Sequence, residues 1–268
     1  MIDSPIAREF LTTGQCASCR VIDLHAHYGH FRGIYMPNHD PEQMIATMDR
    51  CGVEITVSSG HTALEDMVLG NAEMTEVTAR YPGRWYAYLM YHPNDPDNGR
   101  RELELYDARP TYVGIKLHPT WHQTPITADA YRPALEFAAS RKLLLLSHTW
   151  GSSPYDSPAH MAQVAERYPD ITFLCGHSGH GQFQECMDVA RRFPNVYLEL
   201  TAAYAVRGVI EDMVNSVGAH KIVLGYDLPW FDPHYAIGCV VMAHISEQAR
   251  RAILRENALR LLEGKRRV

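Results

Sequence analysis

The chain has 268 residues, 46% of them hydrophobic and 21% charged, enough to bury a large α/β core in one domain or to form two small ones. Its formal net charge is −6, and its basic residues cluster only briefly at Arg250-Arg251 and Lys265-Arg266-Arg267, which argues against a nucleic-acid partner. No apolar run approaches membrane-spanning length and the N-terminus lacks a basic segment followed by an apolar one, so the expectation is a cytoplasmic protein with no membrane association.

Short β-like runs alternate with amphipathic stretches along the chain. Strands are expected at Val21–Leu24, Glu54–Ser58, Trp85–Met90, Tyr112–Leu117, Leu143–Ser147, Ile171–Cys175, Val196–Leu200 and Lys221–Gly225. Several are continuously apolar, notably Leu143-Leu144-Leu145-Leu146, as in parallel sheets buried on both faces. Helices are expected at Pro41–Cys51, with Asp40 as its cap, and at Ala128–Ser140, Ser157–Tyr168, Gly181–Phe193 and Ser246–Glu263. The third and seventh helices are short and polar. Eight strands alternating with helical segments predict a (β/α)8 TIM barrel spanning residues 1–268 as a single domain; a doubly wound sheet is the alternative, but no glycine-rich phosphate loop comes after the first strand. The six cysteines are expected to be reduced thiols, with a disulfide between Cys16 and Cys19 left open.

The chemistry is read from the residues at the end of each strand, because strand C-termini converge on the mouth of such a barrel. Strand one runs into His25-Ala26-His27, strand four into Lys116 and His118, strand five into His148, strand six into His177 and strand eight into Asp227. Alternate side chains share a face of a strand, so His25 and His27 can grip a divalent metal from one direction. Asp23 is a candidate to support a histidine ligand or a plain strand-end contact. Trp150, Tyr204, Tyr226 and Trp230 come after strands five, seven and eight and are candidates to wall a pocket or to pack on the rim. His61, His92, His122, His160, His220, His234 and His244 read as surface or structural.

The segments IDLHAH, GIKLHP, LLLLSHTWG, FLCGHSG and IVLGYDLPW, closed by ENALRLL, resemble the amidohydrolase superfamily, and within it the amidohydrolase-2 branch of metal-dependent hydrolases, lactonases and non-oxidative decarboxylases. The resemblance implies that His25, His27, His148 and Asp227 bind one divalent metal, zinc first and manganese second, with Asp227 also handling a proton. His177 then acts beside the metal, in proton transfer or charge stabilisation. A second metal would recruit His177 and a carboxylated Lys116. Otherwise Lys116 is expected to bind substrate, with His118, Trp150, Tyr204 and Trp230. Tyr226 departs from the small residue usual before the aspartate. The leading expectation is hydrolysis of a small ester, lactone or amide by a metal-activated water. Decarboxylation of an aromatic or unsaturated acid is the alternative, disfavoured by the compact chain, and a non-catalytic metal-binding barrel is the third reading. A homo-oligomer is expected from the branch, with no interface legible.

Overall fold

A computed structural model describes residues 4–266. In chain order the elements are α1 (Pro5–Thr13), β1 (Val21–Tyr28), α2 (Pro41–Cys51), β2 (Val53–Gly60), α3 (Met67–Ala79), β3 (Trp85–Met90), α4 (Pro96–Glu104), β4 (Tyr112–Leu117), the single turn α5 (Pro119–His122), α6 (Arg132–Ser140), β5 (Leu144–Ser147), α7 (Pro158–Arg167), β6 (Thr172–Cys175), α8 (Phe183–Arg192), β7 (Val196–Glu199), α9 (Val209–Val217), β8 (Ile222–Val223), α10 (Pro233–Met242), α11 (Glu247–Arg251) and α12 (Asn257–Leu262). Each strand lies parallel to the next, in the order β1 to β8. The sheet closes into the expected barrel where Leu24 N donates to Leu224 O at 3.0 Å and His27 N donates to Leu228 O at 2.7 Å.

The core has two shells. The inner one fills the barrel with side chains such as Ile22, Leu24, Val57, Tyr88, Leu144 and Leu174, and Ala258, Leu261 and Leu262 of α12 plug it. The outer, larger shell lies between the sheet and its helices. Each fully buried Leu or Ile contributes about 1.5–3 kcal/mol. The Leu143–Leu146 run serves both shells, since Leu143 and Leu145 pack outward while Leu144 and Leu146 pack inward.

Several elements differ from expectation. β8 is shorter than expected, only Ile222–Val223; Lys221 belongs to the preceding turn, its buried Nζ donating to Phe193 O and Pro194 O at 3.1 and 2.7 Å. The expected terminal helix is interrupted by a π-helical stretch over Ala252–Glu256, between α11 and α12. Asp40 stands at the N-cap of α2, but its side chain makes no capping bond. Cys16 and Cys19 are free and buried; burial first, then the neighbouring Cys19, pushes the Cys16 thiol up to about 12, so it carries no reactive thiolate.

Candidate active site

β1 runs on to Tyr28, so both histidines sit on the strand itself. Simple alternation would set His25 opposite Leu24, yet Leu24 faces the barrel interior while His25 faces the mouth cavity. The register between Asp23 and Ala26 slips by one residue against Thr56 and Ser58, and this bulge re-aims the strand. Asp23 holds the bulge: Oδ1 accepts from His25 N at 3.0 Å and Oδ2 accepts from Thr56 Oγ1 at 2.7 Å. It thus supports the backbone of His25, not its ring. Burial pushes the Asp23 carboxyl up to about 8.

The ring of His25 is held by Glu199, at the end of β7. Glu199 Oε2 lies 2.7 Å from His25 Nδ1 and accepts from His177 N at 3.1 Å, while Oε1 accepts from Thr201 N and Oγ1, both at 2.6 Å. Burial pushes this carboxyl up, against the donors around it. Facing Glu199, the Nδ1 of His25 carries the proton and Nε2 is left with its lone pair. Asp156 does the same for His148, with Oδ2 2.9 Å from Nδ1. Burial favours the protonated acid there, but His148, Ser153 and Thr120 hold the carboxyl below its usual range. Neither acid belongs to a sequence motif of its own, although Glu199 ends an apolar run just as the histidines do.

The close approach needs Gly225. A Cβ there would stand 2.2 Å from Glu199 Oε1 and 2.5 Å from His25 Cβ. Gly225→Ala is therefore expected to cost about 1–3 kcal/mol of stability and to lower the thermal unfolding midpoint; an unchanged midpoint would show that β8 yields freely.

His25, His27 and Asp227 form the tight group, their ligand atoms all within 4.8 Å of one another. Asp227 Oδ1 is 3.1 Å from His25 Nε2 and 3.3 Å from His27 Nε2, yet it is buried without a hydrogen-bond partner. Short contacts that do not align as hydrogen bonds are what donor atoms converging on a common cation produce, and the imidazole–carboxylate set suits a divalent ion. Burial lowers the pKa of His25, His27, His118 and His177, keeping the imidazoles neutral as a metal requires. Burial works to raise the Asp227 carboxyl, but His25, His27 and His177 hold it well below the usual range.

His148 and His177 stand across the site, their rings 4.8 Å apart, with His177 on a left-handed turn at φ 58° and its Nδ1 buried and unpartnered. Lys116 reaches in from β4, its Nζ 2.9 Å from His25 Nε2; burial lowers its pKa to about 8. His118 turns toward the mouth, where its ring stacks on His148 at 4.2 Å.

These groups line a cavity of about 360 Å³ that also includes Phe31, Leu64, Trp121, Trp150, Trp230 and Phe231. Tyr204 does not reach it; its ring packs edge-on against Phe231 and Tyr235. Tyr226 is buried in the outer core. His61, read from sequence as surface or structural, is part of the wall. Its ring stacks 4.8 Å from His27, Nδ1 meets Gly29 O at 2.7 Å, and Nε2 accepts from Trp230 Nε1 at 2.9 Å. Phe31 arrives on the loop after β1, and Trp121 on the single turn α5 that comes after β4.

The family model for amidohydrolases matches residues 22–264. Comparison with curated proteins returns no match. Among solved structures, a 2,6-dihydroxybenzoate decarboxylase complexed with 2,6-dihydroxybenzoate is 18% identical with a TM-score of 0.74, over 91% of this chain and 98% of that one. An uncharacterised TIM-barrel protein from Bordetella bronchiseptica is 20% identical with a TM-score of 0.76, over 91% and 98%. A 5-carboxyvanillate decarboxylase from Novosphingobium aromaticivorans, complexed with manganese, is 12% identical with a TM-score of 0.71, over 91% and 96%. At these identities the structural likeness speaks for the fold; the family match, the strand-end histidines and Asp227 speak for more. The chain belongs to the amidohydrolase family and is a metal-dependent enzyme.

Proposed function

We propose that this enzyme removes carbon dioxide from an aromatic acid without oxidation. The observation that carries the reading is the cavity wall. Phe31, Trp121, Trp150, Trp230 and Phe231 form an aromatic enclosure opening onto His25, His27 and Asp227. A planar ring gains about 0.5–1.5 kcal/mol per good aromatic contact beyond the area it buries. The likeness to decarboxylase folds adds support, one of them complexed with a dihydroxybenzoate. It also removes the argument from compactness, because 98% of that decarboxylase chain is matched. Hydrolysis of an ester, lactone or amide has the weaker support, and a non-catalytic barrel has none from the family match.

One divalent ion, manganese or zinc, fits the histidine and carboxylate donors His25, His27, His148 and Asp227; when bound, it polarises substrate oxygens. The residues then divide the work. Lys116 and His118 face the acid's polar groups, and Trp150 and Trp230 orient its ring. Asp227 takes up a proton from solvent and delivers it to the ring carbon that bears the carboxylate. The carbon–carbon bond then breaks, carbon dioxide leaves and the ring recovers its aromaticity. His177 steadies the negative charge that develops beside it.

The test is a panel of hydroxybenzoates against a panel of lactones and aryl esters, with protein loaded with manganese or zinc. Carbon dioxide release, with one deuterium entering the ring in heavy water, is expected. Ring opening or ester cleavage without decarboxylation would return the protein to the hydrolases.

A further inference from the structure

A second group of metal-ligating side chains lies outside the mouth cavity. Cys51 ends α2, and Asp232 and His234 stand at the start of α10; one ligand atom from each lies within 4.8 Å of the others. None of the three lines the mouth cavity. Cys51 is fully buried in the outer core. Asp232 Oδ1 caps α10 by accepting from His234 N at 2.8 Å, which occupies one carboxylate oxygen and leaves the other. His234 Nδ1 lies 3.7 Å from Asp232 Oδ1, while its Nε2 is buried with no hydrogen-bond partner. Capping accounts for Asp232 alone. The buried thiol of Cys51 is met by the His234 backbone and the Arg50 side chain, which leaves the unpartnered Nε2 of the part-exposed His234 ring unexplained.

We propose that Cys51, Asp232 and His234 form a second metal site that takes one Zn²⁺ with water in the fourth position. Thiolate and imidazole select a borderline-soft ion over Mg²⁺ or Ca²⁺, which want oxygen ligands throughout. Tetrahedral bonds of about 2.0–2.3 Å set ligand atoms roughly 3.3–3.8 Å apart, so small side-chain movements close the cage. The ion staples α2 to the segment that carries Trp230 and Phe231, and so steadies one wall of the cavity.

Cobalt reports on this site separately from the mouth, whose lining residues include no cysteine. The full-length protein is stripped with a chelator and titrated with Co²⁺. Wild type is expected to show a near-ultraviolet thiolate-to-cobalt absorption as well as the visible bands. Cys51→Ser is expected to lose the near-ultraviolet band and one bound cobalt per chain, keeping the visible bands of the mouth. His234→Ala provides the same reading should Cys51→Ser fail to fold. Absence of the near-ultraviolet band in wild type, or its full survival in either variant, would overturn the proposal. A Cys51-dependent band without cobalt at the mouth would leave this site standing and remove the metal chemistry proposed for His25, His27 and Asp227.

Discussion

Asp227→Asn is expected to lower kcat by roughly 10²–10⁴-fold at saturating metal, the range that a positioned proton carrier contributes. The substitution keeps the shape of the side chain and its place in the turn where Asp227 N donates to His25 O at 2.8 Å. It removes the negative charge that His25, His27 and His177 surround, and with it the ability to take up a proton. The loss should therefore appear in kcat while the thermal unfolding midpoint changes little. Turnover that survived the change would show that the proton travels by another group, with His177 the next to test. Metal content must be measured in the same preparation, so that a lost ion is not mistaken for a lost proton carrier.

Glu199→Gln is expected to weaken metal binding by about 10–100-fold, although Glu199 touches the imidazole rather than the ion. The reason is the sense of its hydrogen bonds. The carboxylate accepts from His177 N, Thr201 N and Thr201 Oγ1, and faces the Nδ1 of His25. A glutamine in either orientation turns an N–H toward one of these donor pairs, at a cost of about 1–3 kcal/mol for each buried group left unpaired. His25 is then free to rotate or to shift its proton to Nε2, which removes the lone pair a metal needs. Competition between the protein and a chelating dye for Mn²⁺ or Zn²⁺ measures the effect. Unchanged affinity would mean that Glu199 only buttresses β7 against β8.

The two acids that orient the histidines also show where local reading stops. Glu199 in Val196–Leu200 looks like any acid closing a strand, and Asp156 sits in a serine- and proline-rich loop. Their roles arise from partners 174 and 8 residues away in sequence. The same holds for His61, whose place against His27 results from the parallel pairing of β1 with β2 and from the side-chain bond to Trp230. By contrast, Tyr204 comes after a strand as the pocket residues do, yet packs away from the cavity, because the turn after β7 carries its ring toward α10.

The sequence by itself determined the barrel, the order of its strands and the strand ends that bear His25, His27, Lys116, His148, His177 and Asp227. Those features are local: continuous apolar runs pair as buried parallel strands, and a polar residue at the end of such a run emerges at the mouth. Only the tertiary structure decided how the side chains are aimed. The bulge held by Asp23 turns His25 into the cavity, Gly225 makes room for Glu199, and the loop after β1 and the turn α5 bring Phe31 and Trp121 over the mouth. Hydrogen bonds and packing between residues distant in sequence leave no periodic trace along the chain, so they are settled by the fold as a whole.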